Sequence, residues 1–167
     1  MKVEDFYKVI APRPIGLIST IDKEGNPNAA PFSFIMPAST EPEILCFASA
    51  PERRTLKNIR ETKEFIVNIP SEENLEKLWF CAKKYTGKNK IKDAGFTEEN
   101  AKKVKVPRIK ECIAWIECSL YLEKELGDHV LVFGKVLEVD AIEDSPLKAL
   151  MHIGGNKFCI PGKILKI

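Results

Sequence analysis

The amino-acid sequence predicts a mainly β chain: an antiparallel, Greek-key-like barrel with a few helices at its periphery. Three observations lead there. Runs rich in β-branched and aromatic residues follow one another with little helix between them, over Ile15–Ile21, Asn28–Met36, Glu43–Ala48 and Glu64–Ile69. Two long strand-like runs, Glu111–Leu122 and His129–Ile142, are separated by the polar segment Lys124-Glu125-Leu126-Gly127-Asp128, as in a hairpin. No G-x-G-x-x-G follows any strand, which argues against a doubly wound sheet with a dinucleotide at its first turn.

Each element has a local reason. Residues 3–10 admit a short helix, which Pro12 and Pro14 end. Ile15–Ile21 is apolar enough for a buried strand, and Asp22–Asn26 is a turn in which Gly25 can take positive φ. Asn28–Met36 resumes as a strand broken at Pro31, because proline there means an edge, a bulge or a kink facing a ligand. Pro51 and the polar residues after it open a helix that runs to about Glu61. Ser71 can cap the helix EENLEKLWF, whose early glutamates suit the helix dipole. Residues 83–110 are lysine-rich and poor in large apolar side chains, so they read as a long excursion with one short helix near 97–102. Ser145–Met151 is helical, and Lys157–Ile160 forms a short last strand.

Bulk properties narrow the function. With 167 residues and no Gly/Ser- or Pro-rich linker, the chain reads as one domain, 1–167. Basic residues number 26 and acidic residues 24, a balance that points to no nucleic-acid partner. The opening MKVEDFYKVIAPRP lacks the apolar core of a secretory signal, and no apolar run is long enough to span a bilayer. A soluble, cytoplasmic protein with no membrane association is expected. Cysteines at 46, 81, 112, 118 and 159 are odd in number, with no C-x-x-C pair. Buried thiols fit that pattern, and neither a disulfide framework nor a metal site is expected.

Three stretches offer chemistry. The first joins Arg13-Pro14-Ile15 to Asn28-Ala29-Ala30-Pro31-Phe32-Ser33. Ala29 and Ala30 let a flat ligand approach the backbone, and Asn28 and Ser33 supply donors and acceptors. A kinked edge strand would explain the same residues. The second is Ser49-Ala50-Pro51-Glu52-Arg53-Arg54-Thr55, where a strand feeds a helix N-terminus. Free N–H groups there attract an anion, and Ser49, Thr55 and an arginine fork can complete a phosphate cradle. A capped surface helix with solvated arginines is the plain alternative. The third is Gly127-Asp128-His129 with Gly134, where His129 is a candidate catalytic group or an exposed turn residue. The lysines at 83, 84, 88, 90 and 92 read as a solvated lid able to steer a phosphate-bearing dinucleotide toward a site.

Taken in order, these blocks resemble the flavin reductase-like family, which includes flavoredoxin-type proteins. RPIGLISTIDKEGNPNAAPFSF resembles the family's opening block, SAPERRTLKNI followed by EFIVNI its helix-start block, GDHVLVFGKV its late G-D-H strand, and IGGNKF its C-terminal glycine pair. The resemblance implies a split β-barrel that binds FMN, as a homodimer. It implies a flavin ring against Asn28, Ala30, Pro31 and Ser33, a phosphate near Ser49, Arg54 and Thr55, and His129 where a donor meets the flavin. Arg13, Ala29, Ala50 and Arg53 complete the implied cofactor-binding set. Glu52 and Arg54 stand where the family often has Arg and Asp, which moves the phosphate contact toward Arg53 or Arg54. His152 and Phe158 stand where an arginine and a tyrosine are common. The activity implied is an FMN-dependent oxidoreductase that moves electrons from NAD(P)H or a protein donor to a flavin, iron or protein acceptor. The alternative is an FMN-binding carrier or storage protein without NAD(P)H turnover.

Overall fold

The computed structural model describes residues 2–166. A 3₁₀ turn at Val3–Lys8 leads into strands β1 (Arg13–Pro14), β2 (Gly16–Ile21), β3 (Pro27–Phe32), β4 (Ile35–Thr40) and β5 (Glu43–Ser49). Helix α1 (Arg54–Thr62), β6 (Glu64–Ile69), α2 (Leu75–Ala82) and the single turn α3 (Lys90–Asp93) follow. Then come the short β7 (Glu98–Glu99) and β8 (Arg108–Ile109) and the long hairpin β9 (Ala114–Leu126) and β10 (His129–Ala141). The turn α4 (Ser145–Lys148), β11 (Met151–Gly154) and β12 (Lys157–Cys159) complete the chain.

Seven strands form one antiparallel sheet in the order β3-β2-β6-β9-β10-β5-β4. Its two edge strands, β3 and β4, are consecutive in the chain and joined only by Ser33-Phe34. Laid flat, those edges would stand about 29 Å apart, whereas the link reaches about 11 Å. The sheet therefore has to roll up. It stays split, because β3 and β4 do not pair; the Ala48 N–H instead donates to the Phe34 carbonyl at 2.9 Å and ties the link to β5. β2–β6 and β10–β5 are spatial neighbours distant in sequence, the interleaving expected of a Greek-key-like barrel.

Strand β2 is buried on both faces. Ile18 points into the barrel with Phe32, Phe47, Phe65, Val67 and Val132, and Phe47 packs edge-on against Phe32 and Phe65 at 5.0 and 5.5 Å. Leu17 points outward into a second cluster with Ala29, Cys81, Ile91, Phe96, Ile109 and Cys112. The lysine-rich excursion supplies much of that outer layer, so its few apolar residues are nearly all spent on packing. Gly134 lets β10 pass over Phe65, whose Cζ would lie 2.3 Å from an added Cβ.

The excursion is pinned by buried polar bonds. The Asn68 side chain donates to the Leu17 carbonyl and accepts from the Ile109 N–H, each at 2.8 Å. The Arg108 guanidinium bridges Glu117, which is fully buried, and the half-buried Asp140, with Nε at 2.7 Å from Glu117 and Nη1 at 2.6 Å from Asp140. Glu117 also accepts the N–H groups of Lys102 and Lys103 at 2.9 and 2.6 Å.

Six expectations need correction. The link of the long hairpin is only Gly127-Asp128, because Lys124–Leu126 pair within β9, and the last helical turn ends at Lys148, so that Met151 opens β11. The break in the second strand falls at Ser33-Phe34, not Pro31; Pro31 pairs with Leu17 within β3, tolerated because β3 is an edge. Ile35–Thr40 is a separate strand, hidden in sequence by Pro37. The helix after Pro51 starts at Arg54, with Arg53 as its N-cap. The short helix of the excursion lies at Lys90–Asp93, where the Asn89 side chain accepts the Lys92 N–H, and residues 98–99 are a strand instead.

Candidate functional site

Two hollows lie side by side on one rim of the barrel and share Ala30 and Arg53. The first, about 250 Å³, is a cleft walled by Ala30, Pro31, Phe32, Ser33 and Phe34 from the β3–β4 turn, Ala48 and Ala50 at the end of β5, Cys81 and Ala82 from α2, and His129. Four alanines, Ala30, Ala48, Ala50 and Ala82, alternate there with Phe32, Phe34 and His129, a lining that suits a planar ring. Its polar side chains are Ser33, Arg53 and His129, a few groups able to orient a ligand.

The second hollow, about 480 Å³, is lined by Asn28, Arg53, Arg54, Thr55, Lys83, Lys84 and Lys90, with Glu52 and Tyr85. Five cations thus face one carboxylate. Helix α1 begins here, and its N-cap Arg53 offers no side-chain bond to the first turn, leaving N–H groups open to an anion. Asn28 Nδ2 donates to Thr55 Oγ1 at 3.3 Å, tying β3 to that first turn. Arg54 reaches the Gly87 carbonyl at 2.9 Å and Asp22 at 3.7 Å. Lys90 is 6% exposed, and its ammonium donates to the Lys83 carbonyl at 3.0 Å. Burial, then repulsion from Arg53 and Arg54, holds its pKa below the usual lysine range. A buried ammonium beside two guanidinium groups is stabilised by an incoming anion.

Of the residues the sequence pointed to, Asn28, Ala30, Pro31, Ser33, Ala50, Arg53, Arg54, Thr55 and His129 line one hollow or the other. Three do not. Ala29 is fully buried on the opposite face of β3, in the outer cluster. Ser49 is fully buried, with its hydroxyl turned to the Ala50 carbonyl at 3.1 Å. Arg13 lies behind the cleft, donating to the Tyr7 and Ile10 carbonyls at 2.6 and 2.9 Å. His129 stands on the cleft rim, 5.8 Å from the Phe34 ring, with Nδ1 2.7 Å from Asp128. That bond holds the Asp128 carboxyl below its ordinary range.

Lys83 and Lys90 belong to the hollow as wall residues, which their setting in a solvated lid did not indicate. Asn89 followed by Ile91 was the available sign: a capping residue and a buried apolar side chain pull the intervening lysine inward. Cys81 was read as an inert buried thiol; it is buried and its pKa is pushed up to about 11, chiefly by that burial, yet it also touches the cleft.

An alanine-lined cleft opening into a cation-walled, helix-capped hollow, on the rim of a split barrel, fits a planar aromatic ligand bearing a phosphate. The chain belongs to the flavin reductase like domain family, whose model matches residues 9–160. It is 36% identical over 162 residues to a protein of Aquifex aeolicus, covering 93% of this chain and 82% of that one. It is 27% identical over 156 residues to a flavin reductase of Pseudomonas putida, covering 90% and 86%. Among solved structures it is similar to the 2-nitrobenzoate 2-nitroreductase of Pseudomonas fluorescens, with a TM-score of 0.87 at 25% identity over 100% of this chain and 91% of that chain. Family membership gives the chain a flavin-related redox role. Among the described residues, no helix is long and apolar enough to cross a membrane.

Proposed function

We propose that this protein is an oxidoreductase that binds FMN across the two hollows. It would take electrons from NAD(P)H or a reduced protein and pass them to a flavin, iron or protein acceptor. The observation that carries the reading is the hollow of five cations and one carboxylate opening directly into an alanine-lined cleft. The flavin, when bound, supplies the redox chemistry. The chain's own residues supply position and electrostatics. Arg53, Arg54 and Lys90, with Thr55 and the first N–H groups of α1, hold the phosphate. Ala30, Pro31 and Ala50 flank the ring and exclude water, and Asn28 fixes the strand against the helix. His129 borders the open side of the cleft, where an electron donor would approach.

A second copy of the chain is the partner this reading gives to the apolar concavity of about 400 Å³ formed by Ile15, Ile35, Met36, Ile44, Ile116 and Val139. Met36 and Val139 are well exposed beside it. Five free thiols, four of them buried, fit a reducing cytoplasm.

The test is titration of the purified protein with FMN and with riboflavin, followed by anaerobic addition of NADH or NADPH. The expected result is a yellow complex, tighter for FMN than for riboflavin, that bleaches with a nucleotide. A protein that refuses FMN removes the reading. A yellow protein that bleaches only with a reduced protein donor leaves the carrier form.

A further inference from the structure

His152 is poised behind the cleft wall by three bonds whose directions can be worked out. Its Nδ1 lies 3.4 Å from Arg13 Nη2 and 3.0 Å from Ser33 Oγ, and its Nε2 lies 3.2 Å from the Gly155 carbonyl. An arginine only donates and a carbonyl only accepts. Nδ1 must therefore be the acceptor and Nε2 the N–H. An acceptor at Nδ1 obliges the Ser33 hydroxyl to donate to it. The proton of Ser33 is thus committed away from the cleft, and only oxygen lone pairs are left to face whatever the cleft holds.

The surroundings keep this arrangement in place. The Phe158 ring lies 5.2 Å from the imidazole at a tilt of 38°, and β1 carries Arg13 opposite β11 in register with His152. Arg13 is 8% exposed, held by the carbonyls of Tyr7 and Ile10 and set over the Phe34 ring at 5.5 Å. Among the described residues no carboxylate pairs with Arg13 or His152. The guanidinium charge behind the cleft is therefore uncompensated by a neighbouring acid.

We propose that Arg13 and His152 are positioning residues that lock Ser33 as a hydrogen-bond acceptor toward the bound ring, so that the site holds reduced flavin more tightly than oxidised flavin. This rests on the flavin reading above. Two-electron reduction turns a ring nitrogen from acceptor into N–H donor, and a locked acceptor rewards only the donor form. One neutral hydrogen bond gained in one redox state amounts to about a tenfold preference, or about 30 mV for a two-electron couple.

The experiment compares wild type with Ser33→Ala, His152→Leu and His152→Asn. The readouts are the dissociation constant of oxidised FMN and the midpoint potential of the bound flavin. Nitrogen-resolved NMR of the imidazoles in the flavin-free protein gives a third. Ser33→Ala is expected to lower the potential by about 30 mV with little change in oxidised affinity, whereas His152→Leu, which frees the Ser33 proton to donate to the oxidised ring, is expected to lower it by about as much through tighter binding of oxidised FMN. His152→Asn, whose side-chain oxygen can replace Nδ1, is expected to restore it. The NMR signature expected for His152 is N–H at Nε2. Equal weakening of both redox states, an unmoved potential in Ser33→Ala, or a proton on Nδ1 would each overturn the proposal. Wild type that takes up no FMN would instead bring down the functional reading, and this inference with it.

Discussion

The two halves of the site are built by different means. The cleft is made from the ends of barrel strands and the link between them, positions fixed by closure of the sheet. The basic hollow is made half from the start of α1 and half from the excursion after α2, whose place depends on buried polar bonds rather than on a ladder. The ring-binding half should thus tolerate substitution in the excursion, while the phosphate-binding half should follow it. That contrast can be broken at several points.

The largest effect is expected at Glu117. It is fully buried, and its removal takes away one of the two carboxylates that hold Arg108 and leaves the Lys102 and Lys103 N–H groups unpaired. Glu117→Ala should cost about 3–5 kcal/mol in urea unfolding, and FMN binding should suffer more than riboflavin binding. Burial pushes the Glu117 carboxyl up, but the Lys102 and Lys103 N–H groups and Arg108 pull it further down, below the ordinary 4.5. Its stabilisation is therefore complete above that value and is lost as pH falls through the lower folded value.

Lys90→Met comes next. It should weaken FMN about 10- to 100-fold, the loss of one charge-assisted bond, and leave riboflavin unchanged, because riboflavin has no phosphate. The same lysine predicts a pH effect. Its folded pKa lies below 10.5, so its charge is lost earlier than an ordinary lysine's as pH rises. FMN affinity should fall across that alkaline window in wild type and stay flat in the variant. Equal losses for FMN and riboflavin would erase the division between the halves.

Asn28→Ala should cost about 1 kcal/mol of FMN affinity, since it frees the first turn of α1 from β3. The smallest effect is expected at Cys81. Burial keeps its thiol protonated up to about 11, so Cys81→Ala should leave flavin binding within about twofold. A large loss there would mean that the thiol has chemistry of its own.

The same division governs what the sequence disclosed. Strand β6 and the Asp22–Asn26 turn lie where β-branched and aromatic residues and turn residues placed them, because those signals are local. The cleft residues Ala30, Pro31 and Ser33 were legible through the family resemblance, and the fold brings them to one rim. Ala29 and Ser49 were drawn into the site by adjacency, although strand alternation turns Ala29 to the other face. Lys90 was hidden because a buried lysine looks like its solvated neighbours until the cap at Asn89 is weighed. Arg13 and His152 meet across nearly the whole chain, a contact that no local pattern encodes.

The Ser33-Phe34 link has one more consequence. Loops normally absorb inserted residues cheaply, and the segment between α2 and β9 has room for them. At positions 33 and 34 the chain is at once the seam of the barrel and a wall of the cleft. Lengthening it by even one or two residues would let the seam drift and carry the serine off the imidazole. Growth of this protein over evolutionary time should therefore be written into its lysine-rich flap and never into this two-residue seam.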